Sequence, residues 1–175
     1  MTATICFILV AVLVACDQLI KLWALNSLAP IGTMTVIPGV LSLTYVENQG
    51  AAFGIFTGQR TLLILLVAAI LCGAGWLLLS GKIKDNLERL SVLLVIAGGL
   101  GNLIDRVRHG FVVDYIDINA LFSYPMFNLA DCCVVVGACL MLIAAFRAER
   151  KKPQPIAPET NEDKENDDNR DNSNA

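Results

Sequence analysis

The stretch TLLILLVAAILCGAGWLLL, residues 61–79, contains no charged side chain. A helix needs about 20 apolar residues to cross the hydrocarbon core of a bilayer, so this stretch is long enough to span a membrane. The whole chain is 55% hydrophobic, above the roughly 45–50% of soluble domains. This composition predicts a membrane protein rather than a soluble domain.

Three more windows are long and apolar enough to span a membrane. Together with the first they cover about residues 3–25, 60–80, 87–106 and 126–146. We therefore predict an all-α membrane bundle of four transmembrane helices, with a longer outer segment at residues 26–59. Residues 1–152 would form this membrane domain.

Basic residues predict the orientation of the helices, because cytoplasmic loops carry an excess of Lys and Arg. Lys82 and Lys84 lie between the second and third windows, and Arg147 and Arg150 close the fourth. Both sets fall on one side of a four-span chain, so we expect both termini in the cytoplasm. Arg106 then lies outside, against the rule, and we expect protein contacts to hold it.

The outer segment contains a predicted β-structure. Pro38-Gly39 is a turn signal, and the runs on either side of it, which include residues 40–46, are rich in β-branched residues. Residues 107–125 can add another extended piece. We predict a small extracytoplasmic sheet, or cradle, on the outer membrane surface.

The end of the chain differs sharply from the body. Residues 153–175 carry seven acidic and two basic side chains together with three prolines. This composition predicts a disordered acidic tail, and it accounts for the net charge of −3.

The six cysteines lie in apolar runs, without a CxxC pair, and the chain has one histidine. Such a set lacks the ligand spacing of a zinc site. We expect no metal, no cofactor and no nucleic-acid partner.

The stretch Leu13-Val14-Ala15-Cys16 resembles a bacterial lipobox, which would make the chain a lipoprotein with a cleavable signal. Two features oppose this interpretation. Residues 1–4 lack the Lys or Arg of a signal-peptide n-region, and the apolar run resumes after the cysteine. We expect Cys16 to be an uninvolved residue of the first helix.

Charged and amide side chains inside these spans are candidates for function, because a charge near the bilayer centre costs roughly 2.5–3.5 kcal/mol on insertion scales. Asp17 and Lys21 are spaced i, i+4, so a structural ion pair is an alternative explanation for them. The other candidates lie near the predicted outer boundary: Asn48, Gly54, Asn102, Asp105, Arg106, Asp114, Asn128 and Asp131.

The residue types present leave one plausible hydrolytic chemistry. Serine or cysteine catalysis normally needs a histidine base, and His109 lies in a basic loop beyond a helix end. Asp114 and Asp131 both fall at the predicted outer boundary, where they can approach one another. Two carboxyl groups in an apolar setting can share one proton, so that one acts as acid and the other activates water. Pairing of the acids with Arg106 and Lys21 remains the alternative.

Five short motifs in order resemble those of the lipoprotein signal peptidases, the type II signal peptidases of bacteria. The motifs are D-Q-L-I-K at 17–21, E-N-Q-G-A-A-F-G at 47–54, G-G-L-G-N-L-I-D-R at 98–106, V-V-D-Y at 112–115 and F-N-L-A-D at 127–131.

The resemblance implies an intramembrane aspartyl endopeptidase of four helices in the bacterial cytoplasmic (inner) membrane, with its site near the extracytoplasmic face. It places the catalytic pair on Asp114 and Asp131. The implied supporting residues are Asp17, Lys21, Asn48, Gly54, Asn102, Asp105, Arg106, Asn128 and Ala130.

The implied substrate is a prolipoprotein whose cysteine already bears diacylglycerol, cut just before that cysteine. Signal peptides of such proteins and membrane lipid are the expected partners of a monomeric enzyme. Two alternatives from other classes remain. One is a non-catalytic membrane assembly or lipid-binding protein, and the other is a small transporter, which would need acids spread across the membrane depth.

Overall fold

The computed structural model describes residues 2–51, 55–119, 121 and 123–150. Its helices are α1 (Ala3–Trp23), α2 (Arg60–Leu79), α3 (Asn86–Arg108) and α4 (Leu129–Arg150). All four are long and apolar enough to cross a membrane. The predicted four-span bundle is confirmed, and the fold also contains the small sheet.

The first span is longer than predicted. The Thr2 hydroxyl caps α1 by accepting from the Ile5 N–H at 3.4 Å. At its other end α1 continues as a π-helical turn, Ala24–Leu28. Ala24 and Leu28 are fully buried in this turn and pack in one apolar cluster with Val113 and Tyr115. The widened turn therefore joins the first helix to the sheet.

The sheet has three antiparallel strands in the order β1 (Thr33–Ile37), β2 (Leu41–Asn48) and β3 (Val112–Asp117). The first two strands flank the predicted turn, where Gly39 has a φ of +71°. The third strand comes from residues 107–125, as the sequence suggested. The small sheet is thus confirmed.

The fourth helix begins later than the predicted residue 126, because the preceding backbone is used elsewhere. Phe127 forms an isolated bridge with Ile116, in which the Ile116 N–H donates to the Phe127 carbonyl at 2.8 Å. This pairing extends β3 into the segment before α4. The chain divides into compact units at residues 1–145 and 146–175, and of the second only the end of α4, residues 146–150, is described.

Helix α3 contacts both α1 and α2, and it is the most buried of the four spans. It also lies against α4. A Cβ at Gly98 would collide with the Ala130 carbonyl oxygen, and one at Gly101 would lie 2.5 Å from the Asp17 carboxylate and 3.1 Å from the Ala130 Cβ. Gly101 therefore marks the point where α1, α3 and α4 meet, a close approach that glycine permits.

The Gly101→Ala variant is expected to lower the free energy of unfolding by about 1–3 kcal/mol, because overpacking here shifts backbone and a buried carboxylate. Gly75→Ala in α2 is the matched control, since a Cβ there meets nothing within 4 Å. Thermal unfolding in detergent measures both variants. Equal stability of the two would contradict the close approach at Gly101.

Candidate active site

Asp114 and Asp131 meet at one residue, Asn128. The Asn128 Nδ2 donates to Asp114 Oδ1 at 2.7 Å, and the Asn128 backbone N–H donates to Asp131 Oδ2 at 3.1 Å. Asn128 is completely buried and Asp114 is 2% exposed. The strand β3 and the start of α4 thus bring both carboxyl groups to Asn128, which lies 14 residues after Asp114 in the sequence.

The start of α4 fixes the Asp131 side chain. Asn128 and Asp131 bond reciprocally, because the Asp131 N–H also donates to Asn128 Oδ1 at 2.9 Å. This is the arrangement of a helix capping box, in which two N-terminal N–H groups are satisfied at once. The other oxygen, Oδ1, accepts from Asn102 Nδ2 at 2.7 Å. The motif spacing N-L-A-D is therefore a helix start that also aims a carboxyl group.

A β-bulge brings Asn48 to Asp114. Leu43 pairs with Ile116, but the next pair is Val46 with Asp114, so β2 holds one extra residue. Side chains alternate between sheet faces, and one extra residue moves the rest of the strand to the other face. Asn48 thereby shares a face with Asp114, and its Nδ2 donates to Asp114 Oδ2 at 2.9 Å.

Burial and charge change the acidity of Asp114. Loss of hydration, followed by the nearby Asp131 carboxylate, raises the pKa of Asp114 from 3.8 to about 7. The bonds from Asn48 and Asn128 act in the opposite direction. A carboxyl group of this kind holds a proton near neutral pH, which suits acid–base chemistry.

Cavities lie on more than one side of the carboxyl pair. Asp131 lines a cavity of about 210 Å³ whose walls include Asn102, Arg106 and several apolar side chains. Asp114 lines a more open cavity of about 590 Å³. Asn48, Pro125 and Met126 belong to both. The carboxyl groups are therefore reachable from partly apolar space on two sides.

A buried charge cluster lies behind the pair. Lys21 Nζ lies 2.9 Å from Asp17 Oδ2 and 3.0 Å from Asp105 Oδ2, and it donates to Asn102 Oδ1 at 2.9 Å. Lys21, Asp17 and Asp105 are each 2% exposed. The structural ion pair considered for Asp17 and Lys21 is present.

Asp105 pairs with a cation of another helix. Arg106 is its neighbour in the sequence, but Asp105 forms its ion pair with Lys21 and also accepts from the Val113 N–H at 3.1 Å. Neighbours on a helix project in different directions, so i, i+1 side chains do not face each other. Asp105 therefore ties α3 to α1 and β3.

Arg106 contacts carbonyl groups. Its Nη2 donates to the Gly50 carbonyl at 2.8 Å and its Nη1 to the Asn102 carbonyl at 3.3 Å. Asn102, one helical turn before Arg106, is the residue that donates to the Asp131 carboxylate. Arg106 instead holds the segment after β2 through the Gly50 carbonyl. Its side chain is buried, with 8% exposed.

Three predicted residues, Asp17, Ala130 and Gly54, remain to be placed. Asp17 Oδ1 accepts from the Ala130 N–H at 3.0 Å, so both lie beside the start of α4. Gly54 lies outside the described residues.

Within the described part of the chain, no three His, Cys, Asp or Glu side chains are grouped so as to hold a metal ion.

The structure adds two residues that the sequence analysis did not select. Gln18 Nε2 donates to Asp105 Oδ1 at 2.9 Å and to the Gly101 carbonyl at 3.2 Å. The sequence signal that could have identified Gln18 was its polar side chain next to Asp17 in an apolar helix. Arg60 donates to the carbonyls of Arg106 and Val107, each at 2.8 Å. It caps the C-terminus of α3, where a cation is favourable, and no local pattern indicates this.

Comparison with known proteins decides the family. The family model described as signal peptidase (SPase) II matches residues 9–147. The chain belongs to the signal peptidase II family. A lipoprotein signal peptidase of Clostridioides difficile is 42% identical over 144 residues, covering 82% of this chain and 96% of that protein. One of Clostridium acetobutylicum is 40% identical over 147 residues, covering 83% and 96%.

A solved structure agrees with the membership in the signal peptidase II family. It is titled as a bacterial membrane enzyme structure obtained by the in meso method at 2.3 Å resolution. The TM-score is 0.80 at 31% identity, with 88% of this chain and 95% of that chain covered. As a member of this family with four spanning helices, the chain is a multi-pass membrane peptidase.

Proposed function

We propose that the chain is an intramembrane aspartyl endopeptidase that removes signal peptides from diacylglyceryl-modified prolipoproteins, cutting just before the lipidated cysteine. Two related proteins named lipoprotein signal peptidase support the substrate class. Asp114 and Asp131 are the proposed catalytic residues. Membrane lipid surrounds the substrate's acyl chains, and the enzyme acts as a monomer.

One observation carries the proposal: all four carboxyl oxygens of the pair accept an N–H. Asp114 accepts from Asn128 and Asn48, and Asp131 accepts from Asn102 and the Asn128 backbone. These donors hold two acidic side chains in fixed positions while their second lone pairs stay available. Such an arrangement can keep one shared proton on the pair.

The proposed reaction needs one protonated and one ionised carboxyl group. The ionised carboxylate takes a proton from water as the water oxygen bonds to the scissile carbonyl carbon, and the other carboxylic acid protonates the carbonyl oxygen. Collapse of the tetrahedral intermediate breaks the C–N bond. The amine leaves with the proton taken from water, and the other carboxylate takes back a hydroxyl proton of the intermediate, which restores the pair. The titration belongs to both groups together, so neither aspartate has a fixed role as acid or base.

The proposed topology follows from the charges near the helix ends. Lys82 and Lys84 connect α2 to α3, and Arg147 and Arg150 end α4, which favours a cytoplasmic location for this side. Both termini are then cytoplasmic. The sheet and the aspartate pair lie at the opposite, extracytoplasmic face of the membrane, where a modified cysteine enters laterally from the bilayer.

Cleavage of matched peptides tests the proposed substrate. A prolipoprotein peptide bearing diacylglycerol on its cysteine is compared with the same peptide unmodified, using purified enzyme in detergent. Mass spectrometry should show a product that begins with the modified cysteine, and the unmodified peptide should stay intact. Equal cutting of both peptides would reject the lipid requirement, and cutting of neither would reject the proposed activity.

A non-catalytic assembly role is the second candidate, and the ion pairs of Lys21 favour it for Asp17 and Asp105. Asp114 and Asp131 distinguish the candidates, because their bonded partners above are neutral amides. If the chain only assembled with other membrane proteins, neutral substitution of either aspartate would leave lipoprotein processing unchanged, because another protein would carry out the cleavage.

The pH dependence of cleavage follows from the raised pKa of Asp114, about 7. As the pH rises through this value the pair loses its shared proton, so kcat/KM should fall by up to tenfold per pH unit above about pH 7. Asp117→Asn is a matched control in the same strand, and its pH profile should be that of the unchanged enzyme. Bonds from Asn119 lower the pKa of Asp117, so it is already ionised across this range. A flat rate between pH 7 and 9 would contradict the prediction.

A further inference from the structure

Three asparagine amides surround the aspartate pair, and each has its oxygen held by a group that can only donate. Asn48 Oδ1 accepts from the Gly50 N–H at 3.0 Å, Asn128 Oδ1 from the Asp131 N–H at 2.9 Å, and Asn102 Oδ1 from Lys21 Nζ at 2.9 Å. Backbone N–H groups and ammonium groups offer no acceptor. Each amide is therefore turned so that its NH₂ group faces a carboxyl oxygen.

The Asn102 amide differs from the other two, because its oxygen accepts from two other side chains. Lys21 Nζ donates at 2.9 Å, and Asn128 Nδ2 donates at 3.2 Å while it also donates to Asp114 and to the Val113 carbonyl. If the Asn102 amide flipped, its NH₂ would face the Lys21 ammonium, donor against donor, and its oxygen would face the Asp131 carboxylate, acceptor against acceptor. Lys21 is 2% exposed and lies in α1, so it acts behind the site and does not contact substrate.

We propose that Lys21 is a positioning residue: its ammonium orients the Asn102 amide so that Nδ2 donates to Asp131, and this keeps the aspartate pair able to supply an ionised base. The inference rests on the proposed function, since it assigns the pair its catalytic task. It adds a task for a lysine whose ion pairs alone would have a structural explanation.

The expected consequence is a change in the pH–rate profile. Without Lys21, the Asn102 oxygen keeps only the longer bond from Asn128 Nδ2. When the amide turns, its oxygen can accept an O–H from the pair, which favours the protonated form. The acidic limb of kcat should then move to higher pH. The charged groups around the pair come from each neighbouring element: Asp17 and Lys21 of α1, Glu47 of β2, Asp105 and Arg106 of α3, Asp114 of β3 and Asp131 of α4.

The test uses the variant Asp17→Asn/Lys21→Met, which removes one charge of each sign and leaves the net charge of the cluster unchanged. Asp105 keeps its bonds from Gln18 and the Val113 N–H. We expect kcat to fall about 10- to 100-fold with KM changed less than threefold, and the acidic limb to move up by about one pH unit. These are order-of-magnitude expectations for loss of an orienting contact.

Asp17→Asn alone is the matched control, because Lys21 then still pairs with Asp105 and donates to Asn102. Its acidic limb should not move upward. If the double variant folds and keeps the pH profile and kcat of the unchanged enzyme, Lys21 has no positioning role. A lowered kcat in proportion to a lowered folded fraction, with an unmoved limb, would also overturn the proposal.

The failure of the proposed function would look different. Full activity of Asp114→Asn would reject the catalytic role of the aspartate pair, whatever the Lys21 variants show. If Asp114→Asn loses activity while the acidic limb of the double variant stays in place, the catalytic role of the pair is supported and the role of Lys21 is rejected.

Discussion

Replacing Asp114 or Asp131 with asparagine should reduce the rate of lipidated-peptide cleavage by at least about 10³-fold, since each removes a carboxyl group that must hold or accept a proton. The substitution keeps the side-chain shape and one bonded oxygen. The measurement is cleavage of the diacylglyceryl-modified peptide by purified enzyme.

Folding must be separated from catalysis in this experiment. Asp117→Asn is the matched control, because it changes an aspartate of the same strand that bonds Asn119 and Thr44 instead of the site. The site variants and the control should elute alike on size exclusion and unfold at similar temperatures. Activity above about a tenth of the unchanged enzyme in either site variant would contradict the proposed pair.

Replacing Lys21 with methionine should lower the free energy of unfolding by about 3–5 kcal/mol, because it leaves buried carboxylates without their cation. Asp17 and Asp105 are both 2% exposed, so water cannot compensate for the loss. Thermal unfolding in detergent measures the change.

The double variant Asp17→Asn/Lys21→Met provides the comparison, since it removes the cation together with one of its partners. It should recover part of the lost stability, because it leaves one buried carboxylate, that of Asp105, without its cation instead of two. A single variant as stable as the double would mean that the three charges are hydrated or unpaired in the protein.

The sequence selected polar residues that the structure brings together, but it did not specify their partners. Asn102, Asn128 and Asp131 were recognisable as polar side chains at helix ends, and they do bond one another. Asp105 pairs with Lys21 instead of its sequence neighbour Arg106, because the helix turns the two adjacent side chains apart. Long-range partners such as Lys21 depend on how α1 packs on α3.

Arg60 shows a second limit of sequence reasoning. Its position at the start of α2 suggests no function, and a cation there is unfavourable for its own helix. Its hydrogen bonds lie 46 and 47 residues away, on the last carbonyls of α3. A contact of this kind exists only once the loop between the two helices has placed their ends together.

The sequence by itself determined that the chain has four spans, because long, mainly apolar runs of about 20 residues are stable as helices in a bilayer. Its turn signals and β-branched runs likewise determined the sheet. Only the tertiary structure decided that Asn48 faces Asp114, because this depends on one unpaired residue in β2. Local composition does not specify a strand register, which is set by the pairing of distant segments and by the packing of one sheet face.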